Sequence, residues 1–161
     1  IRVLDYARDL DMQWIKFQFN WSLLESAPGQ YTELFYMMRL YIQEAHKNNF
    51  RVMVSVAKAP GWSRTPDPDG AMRENGPPDD PQALANFLSG FLNQIGVDAN
   101  GQPYVSAVEI WNEPNLAREW YGHPMTGDEY MRYFGLAYDA VRTFSPAVTI
   151  ITAAPAPSAS T

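Results

Sequence analysis

The sequence predicts an α/β fold in which parallel strands alternate with helices. Helix-like and strand-like segments alternate four times along the 161 residues. Strands separated in this way by helices have to run parallel and be joined by right-handed crossovers. The segment Arg51 to Ala57 is apolar on both faces, which is typical of a parallel strand that is covered by helices.

The first half of the chain contains two helix and strand units. Leu4 to Asp11 is predicted as the end of a helix, and Trp14 to Phe19 follows as a strand. Thr32 can cap the second helix, which ends near Asn48-Asn49, where a left-handed backbone is tolerated. The strand Arg51 to Ala57 comes next. The apolar face of the second helix is predicted to carry Leu34, Met38, Tyr41, Ile42 and Ala45.

A long loop rich in proline and glycine, Pro60 to Asp80, follows that strand. Loops of this length inside a compact domain are usually functional or mobile. Asp80 and Pro81 form an N-cap and first-turn pair for the third helix, and Gly96 ends it. Tyr104 to Trp111 is then the third predicted strand. The apolar residues of the helix recur at helical spacing, at Leu84, Phe87, Leu88, Phe91 and Leu92.

The last unit begins at Thr126, which forms a capping box with Glu129. The helix closes at Ser145-Pro146, and Val148 to Ala153 is the fourth predicted strand. No internal repeat or second domain is evident, so residues 1–161 are predicted to form one domain. The buried stripe of this helix is predicted at Tyr130, Tyr133, Phe134, Ala137 and Val141.

The composition limits the classes of partner. Apolar residues make up 46% and charged residues 19%, as in globular proteins, and no run approaches the ~18 apolar residues of a membrane span. A net charge of −6 with scattered Lys and Arg argues against nucleic acid and anionic membranes, and leaves a neutral polysaccharide possible. The absence of Cys and the two isolated His residues predict neither a metal site nor a cofactor, and the cellular compartment stays open.

One short motif points to chemistry. The β-branched, apolar residues that lead to Ile110 are followed by Trp111-Asn112-Glu113-Pro114, and Pro114 cannot continue a sheet ladder. Glu113 is therefore predicted at the carboxyl end of a strand, where barrels of repeated strand and helix units carry their active sites. A carboxylate there is aimed by the strand and is suited to general acid or base catalysis. The alternative is a solvated loop carboxylate.

The motif Trp111 to Pro114 resembles the strand-four signature of the clan-A retaining glycoside hydrolases. The second strand of the family and its loop are similar to residues 14–21 and 28–31 of this chain. The end of the family's third strand is similar to residues 59–62, and its fifth strand is similar to residues 150–155. The similarity covers nearly the whole chain, and the β-xylosidase and iduronidase-like branch is closest, followed by the cellulase-like branch. The resemblance implies about half of a (β/α)8 barrel, from the first helix to the fifth strand.

The resemblance also implies roles for individual residues. Glu113 corresponds to the general acid/base, and Asn112 to the residue that donates to the sugar 2-hydroxyl. The nucleophile belongs on a seventh strand, which has no counterpart here, so the chain alone is expected to be inactive. Two alternatives are a carbohydrate-binding half-barrel without turnover and an unrelated α/β domain. The expected partners are a carbohydrate substrate and either the rest of the barrel or a second copy.

Further candidates lie on the predicted strand-end loops. Trp21, Trp62, Trp120 and Tyr121 are aromatic side chains suited to line a sugar cleft, and the alternative for each is packing of its loop onto the barrel. For Trp120 and Tyr121 packing is favoured. Lys58 can reach a sugar hydroxyl or carboxylate, or be a solvated charge on the rim.

Three charged residues raise separate questions. Lys16 stands where the family usually carries an arginine that supports the nucleophile, and lysine lacks the planar fork of arginine. Glu109 is predicted either in a structural ion pair or in a functional role. Glu25 lies next to the position of a structural acid in the family and is the nearest contender for a second catalytic carboxylate.

Overall fold

The structure, a computed structural model, describes residues 2–70 and 75–157. Residues 71–74 of the predicted loop and both ends of the predicted domain lie outside these ranges. The described elements in chain order are α1 (Arg2–Asp9), β1 (Trp14–Asn20), β2 (Glu25–Ala27), β3 (Gln30–Tyr31), α2 (Glu33–Lys47), β4 (Arg51–Ala57), α3 (Pro81–Ile95), β5 (Ala107–Ile110), α4 (Gly127–Phe144) and β6 (Thr149–Thr152).

The main sheet has four strands in the order β1-β4-β5-β6, and every neighbouring pair is parallel. The order follows the chain, as it does in a barrel, and the sheet does not close. The predicted α/β class, with four parallel strands in sequential order, is confirmed. Because all four strands are parallel, their carboxyl ends lie at one edge, which we call the rim.

The helices begin where their caps predict. The Thr32 hydroxyl accepts a hydrogen bond from the backbone N–H of Phe35, Asp80 accepts one from Gln82, and Thr126 accepts one from Glu129. Each cap satisfies a backbone donor that has no partner inside the helix. The α3 helix ends at Gly96, whose φ of 80° suits glycine.

Three details differ from the predictions. The strand predicted from Tyr104 to Trp111 is only Ala107–Ile110, because the Tyr104 N–H bonds to the Gly96 carbonyl before the strand and Trp111 takes a positive φ after it. The short antiparallel hairpin β2–β3 was not predicted. Tyr41, which the sequence predicts on the buried face of α2, is 41% exposed, whereas Phe35 is fully buried there.

The sheet has two chemically different faces. Alternate residues such as Val54 and Val108 join the apolar core formed with α2, α3 and α4. The other face carries Lys16, Ser55 and Glu109, and the side chains of Lys16 and Glu109 form an ion pair across it with a separation of 2.6 Å. This second face corresponds to the interior of a closed barrel, since strand side chains alternate between the two sides of a sheet.

Candidate active site

The backbone leaves β5 in a strained conformation. The Trp111 N–H still bonds to the Val56 carbonyl at 3.0 Å, and φ is then positive at Trp111 (74°) and at Glu113 (40°). Lys58, which follows β4 on the same rim, also has a positive φ of 63°. Residues with a Cβ atom rarely adopt a positive φ, and backbone strain of this kind is concentrated at functional sites.

The other positive φ values of non-glycine residues among the described residues are at Asp11, Asn49 and Asn75. Asp and Asn tolerate the left-handed region because their short side chains bond to the local backbone. Within the part of the chain that the structure describes, residues of other types take this conformation only at the rim, namely Lys58, Trp111 and Glu113. The strain therefore marks the two strand ends where sequence analysis predicts the site.

Glu113 is partly exposed, with 32% of its side-chain surface accessible, and pairs with Arg118 at 3.2 Å. Its turn is closed by a hydrogen bond from the Leu116 N–H to the Glu113 carbonyl at 3.0 Å. The Trp111 indole N–H donates to the Glu119 carbonyl at 2.8 Å and ties the end of this turn to the core. The carboxylate is thus accessible to a ligand while its backbone is held at several points.

Asn112 is partly buried between Trp111 and Glu113. Lys58 belongs to a neighbouring pocket of about 260 Å³ that is also lined by Gln18, Phe19 and Asn20. The backbone N–H of Ser22 donates to the Lys58 carbonyl at 3.0 Å, which joins the loops after β1 and β4. The parallel register, in which Asn20 lies beside Ala57, places these residues at the same edge as Glu113.

The two tryptophans after β1 and β4 differ in exposure. Trp62 is 40% exposed and packs edge-on against Trp21, so it keeps surface that can contact a ligand. Trp21 has 0% exposure, stacks on Phe87 with ring centroids 4.8 Å apart, and donates its indole N–H to Glu25 at 2.7 Å. The expected contact of Trp21 with substrate needs an exposed ring, and the structure instead places this ring in the core.

Trp120 is also a core residue, with 1% exposure. It packs edge-on against Trp111 and Tyr133 at 5.4 and 5.1 Å, so the packing alternative describes it and the substrate-binding role does not. Tyr121 is partly buried, and its hydroxyl donates to Asp67 at 3.1 Å. Tyr121 thus connects the loop after β5 to the loop after β4.

The other two candidate carboxylates make structural contacts. Glu109 is 8% exposed and pairs with Lys16 at 2.6 Å, which is the ion-pair alternative. Glu25 is 3% exposed and accepts hydrogen bonds from the Trp21 indole at 2.7 Å and from the Gly29 backbone at 2.6 Å. Both carboxylates are therefore already engaged within the fold.

A polar network that the sequence does not predict joins the two longest rim loops. His123 lies 3.4 Å from Glu129 and 3.7 Å from Asp79, and the Tyr133 hydroxyl donates to the Pro78 carbonyl at 2.7 Å. Burial opposes ionisation of Glu129, but hydrogen bonds from Arg132 and His123 outweigh it and lower the pKa of this carboxyl group. Tyr133 and Pro78 are 55 positions apart in sequence, so no local pattern predicts that the two loops meet here.

Within residues 2–70 and 75–157, no three His, Cys, Asp or Glu side chains cluster closely enough to hold a metal ion. None of the helices described there combines the length and apolarity needed to cross a bilayer.

No protein-family model and no curated protein matches this sequence. Solved structures do match. A family 39 glycoside hydrolase from the gut symbiont Bacteroides cellulosilyticus is 19% identical, with 94% of this chain and 28% of that chain covered and a TM-score of 0.62. A family 5 glycoside hydrolase from Bifidobacterium longum, solved with Manβ1-4GlcNAc, is 13% identical, with 94% and 36% covered and a TM-score of 0.66.

A family 30 endoxylanase from Clostridium papyrosolvens is 15% identical, with 82% of this chain and 34% of that chain covered and a TM-score of 0.60. The chain thus spans about a third of the length of these structures. At such low identity the likeness concerns the fold alone, and it confirms that the chain has the fold of part of a (β/α)8 barrel.

Proposed function

We propose that this chain is part of a retaining glycoside hydrolase and supplies its general acid/base, Glu113. One observation carries the proposal: a partly exposed glutamate follows a barrel strand on a left-handed turn, directly after Asn112 and before Pro114. The fold is one shared with solved glycoside hydrolases. In such barrels the carboxyl ends of the strands carry the catalytic groups.

In the proposed reaction, protonated Glu113 donates its proton to the glycosidic oxygen as the bond to the sugar breaks. A second carboxylate, from a strand outside this chain, attacks the anomeric carbon and forms a covalent glycosyl intermediate. Glu113 then removes a proton from water, which displaces the enzyme carboxylate with net retention. Asn112 donates a hydrogen bond to the 2-hydroxyl, where such bonds strengthen in the transition state.

The proposed substrate is a poly- or oligosaccharide. The exposed face of Trp62 offers an apolar surface for a sugar ring, and Lys58 and Tyr121 provide polar contacts on the same rim. Arg118 is added to this set because it touches the Glu113 carboxylate. Trp21 and Trp120 support the rim from the core.

We propose that the rest of a barrel, or else a second copy of the chain, covers the open edges. Val3 and Tyr6 of α1, and Leu10 directly after it, are each more than 60% exposed. Beside them lies an apolar groove of about 330 Å³, lined by Val3, Leu4, Ile15, Phe17 and Tyr41. Exposed apolar surface of this kind and an unpaired strand edge favour association.

The test is Glu113→Gln in the complete enzyme, with Glu119→Gln on the same turn as the matched control. Loss of the general acid should reduce hydrolysis of substrates with poor leaving groups by ~10² to 10⁴-fold. Activated aryl glycosides need little proton donation and should be much less affected. Azide should restore turnover of the variant by forming a glycosyl azide, since an anion needs no general base. Equal loss on both substrate types would contradict the assigned role.

A non-catalytic, carbohydrate-binding half-barrel is the second candidate, and the structural engagement of Glu25 and Glu109 favours it for the isolated chain. Retention requires two carboxyl groups ~5 to 5.5 Å apart across the scissile bond. We expect residues 1–161 alone to bind sugar weakly and to hydrolyse none. Turnover by the purified chain that Glu25→Gln abolishes would overturn this expectation.

A further inference from the structure

The hydroxyl group of Tyr130 occupies the place of a backbone hydrogen bond between β5 and β6. In this sheet, Val56 pairs with Ile110, and the next amide, Trp111 N–H, donates to the Val56 carbonyl. Ile110 pairs with Thr152 in the same way, so the Ala153 N–H would donate to the Ile110 carbonyl. Instead, the Ala153 N–H donates to the Tyr130 hydroxyl at 2.9 Å, and that hydroxyl donates to the Ile110 carbonyl at 2.8 Å.

The inserted hydroxyl separates the two strands at the rim. β5 stays attached to β4 through the Trp111 N–H, so only its contact with β6 is opened. Burial raises the pKa of Tyr130 to about 12, which keeps the hydroxyl protonated and able to donate at ordinary pH. The phenol therefore acts as a fixed spacer between the strand ends.

A second contact rejoins the two segments further along. The Asn115 side chain donates to the Ala156 carbonyl and accepts from the Ala156 N–H, both at 2.9 Å. Residues 111–114 thus form an arch between the Tyr130 hydroxyl at one end and the Asn115 side chain at the other. The left-handed residues Trp111 and Glu113 both lie within this arch.

We propose that Tyr130 is a positioning residue for Glu113: by spacing β5 from β6 at Ile110 and Ala153, it sets the arch that aims the carboxylate. The inference rests on the proposed function, because it concerns the geometry of the same acid/base. Tyr130 lies on α4, on the core side, and acts through the backbone. Asn115 holds the other end of the arch and serves the same purpose.

Tyr133 provides a matched control. It lies on the same helix, and its hydroxyl also donates to a backbone carbonyl, that of Pro78, at 2.7 Å. The Tyr133 hydroxyl also lies 3.2 Å from His123 Nδ1, so Tyr133→Phe, like Tyr130→Phe, removes a hydroxyl with two partners, and it does not touch the β5–β6 spacing. A role in stability alone predicts the same consequences for Tyr130→Phe and Tyr133→Phe.

The first measurement uses this chain and amide NMR spectra. In Tyr130→Phe, we expect the resonances of residues 111–115 and of Ala153 to shift, and the Ala153 amide to exchange faster or to bond directly to Ile110. In Tyr133→Phe, the resonances of 111–115 should stay in place. Equal shifts in both variants, or none in Tyr130→Phe, would overturn the inference.

The second measurement uses the complete enzyme and the ratio of activity on poor and activated leaving groups. Misplacing a catalytic group by about 1 Å costs on the order of 10²-fold. We expect Tyr130→Phe to lower hydrolysis of poor leaving groups by roughly 10- to 100-fold while Tyr133→Phe leaves the ratio unchanged. Asn115→Ala should change the ratio in the same direction. If Tyr130→Phe does not fold, Asn115→Ala takes its place in the test.

Glu113→Gln separates the two levels of failure. A differential loss in Glu113→Gln with no change of ratio in Tyr130→Phe or Asn115→Ala overturns the positioning role alone. An equal loss on both substrate types in Glu113→Gln overturns the proposed function, and with it the inference.

Discussion

The ion pair between Lys16 and Glu109 makes a directional prediction about stability. Lys16 lies on β1 and Glu109 on β5, and their side chains meet at 2.6 Å across the intervening strand. The side chain of Glu109 is 10% exposed, whereas that of Lys16 is 44% exposed. Removing the lysine leaves a carboxylate with little access to water, while removing the carboxylate leaves an ammonium group that water can solvate.

The two single substitutions should therefore differ in cost. Loss of one partner of a fully buried pair costs about 3–5 kcal/mol, and exposed pairs contribute about 0.2–1 kcal/mol. Since only one partner is buried, we expect Lys16→Met to lower the free energy of unfolding by roughly 1.5–3 kcal/mol and Glu109→Gln by less than about 1 kcal/mol. The double variant Lys16→Met, Glu109→Leu should recover much of the loss, because no unpaired charge remains.

Urea unfolding of the three variants, monitored by circular dichroism, measures these differences. The comparison requires that the slope of the free energy of unfolding against urea concentration is the same in all variants. A cost for Glu109→Gln that equals or exceeds the cost for Lys16→Met would refute the reasoning. It would mean that the lysine, and not the carboxylate, is the partner that depends on the other.

Two further predictions concern the tyrosines and the glycines. Burial raises the pKa of Tyr31 and of Tyr130 to about 12, so the stability they contribute is complete below pH ~10 and is lost as the pH rises towards 12. Absorbance at 295 nm reports tyrosine ionisation, and we expect these tyrosines to ionise as the circular dichroism of the fold is lost. Their ionisation near pH 10 while the chain is still folded would contradict the prediction. Gly76→Ala should lower the melting temperature, because a Cβ there meets the Tyr121 carbonyl and the Arg64 side chain. Gly135→Ala lies at an open position of α4 and should raise the free energy of unfolding by about 0.5–1 kcal/mol. A similar response of both variants in thermal unfolding would argue against the close approach at Gly76.

Most of the fold was predictable because its signals are local. Capping residues such as Thr32, Asp80 and Thr126 mark the helix starts through bonds to amides two or three positions away. The position of Glu113 just after β5 was predictable for the same reason, since Pro114 lies in the same motif and cannot continue a sheet ladder. The ends of β5 were predicted less well, because the Tyr104 N–H bonds to the distant Gly96 carbonyl and Trp111 takes a left-handed backbone that its residue type does not announce.

The aromatic residues show where local patterns stop. Trp21 and Trp62 both follow strands, and their surroundings in sequence do not distinguish a cleft residue from a core residue. The structure separates them, because Phe87 of α3 covers the ring of Trp21 and leaves part of Trp62 exposed. Which helix lies over a loop is a property of the packed chain.

The sequence by itself determined the alternation of strands and helices, and the position of a glutamate and an asparagine at the end of a barrel strand. Only the tertiary structure decided the partners of those elements: Lys16 with Glu109, 93 positions apart, and the Tyr130 hydroxyl between Ile110 and Ala153. The physical reason is that residue spacing sets the direction of a side chain within one element. What that side chain meets depends on how distant elements pack against each other.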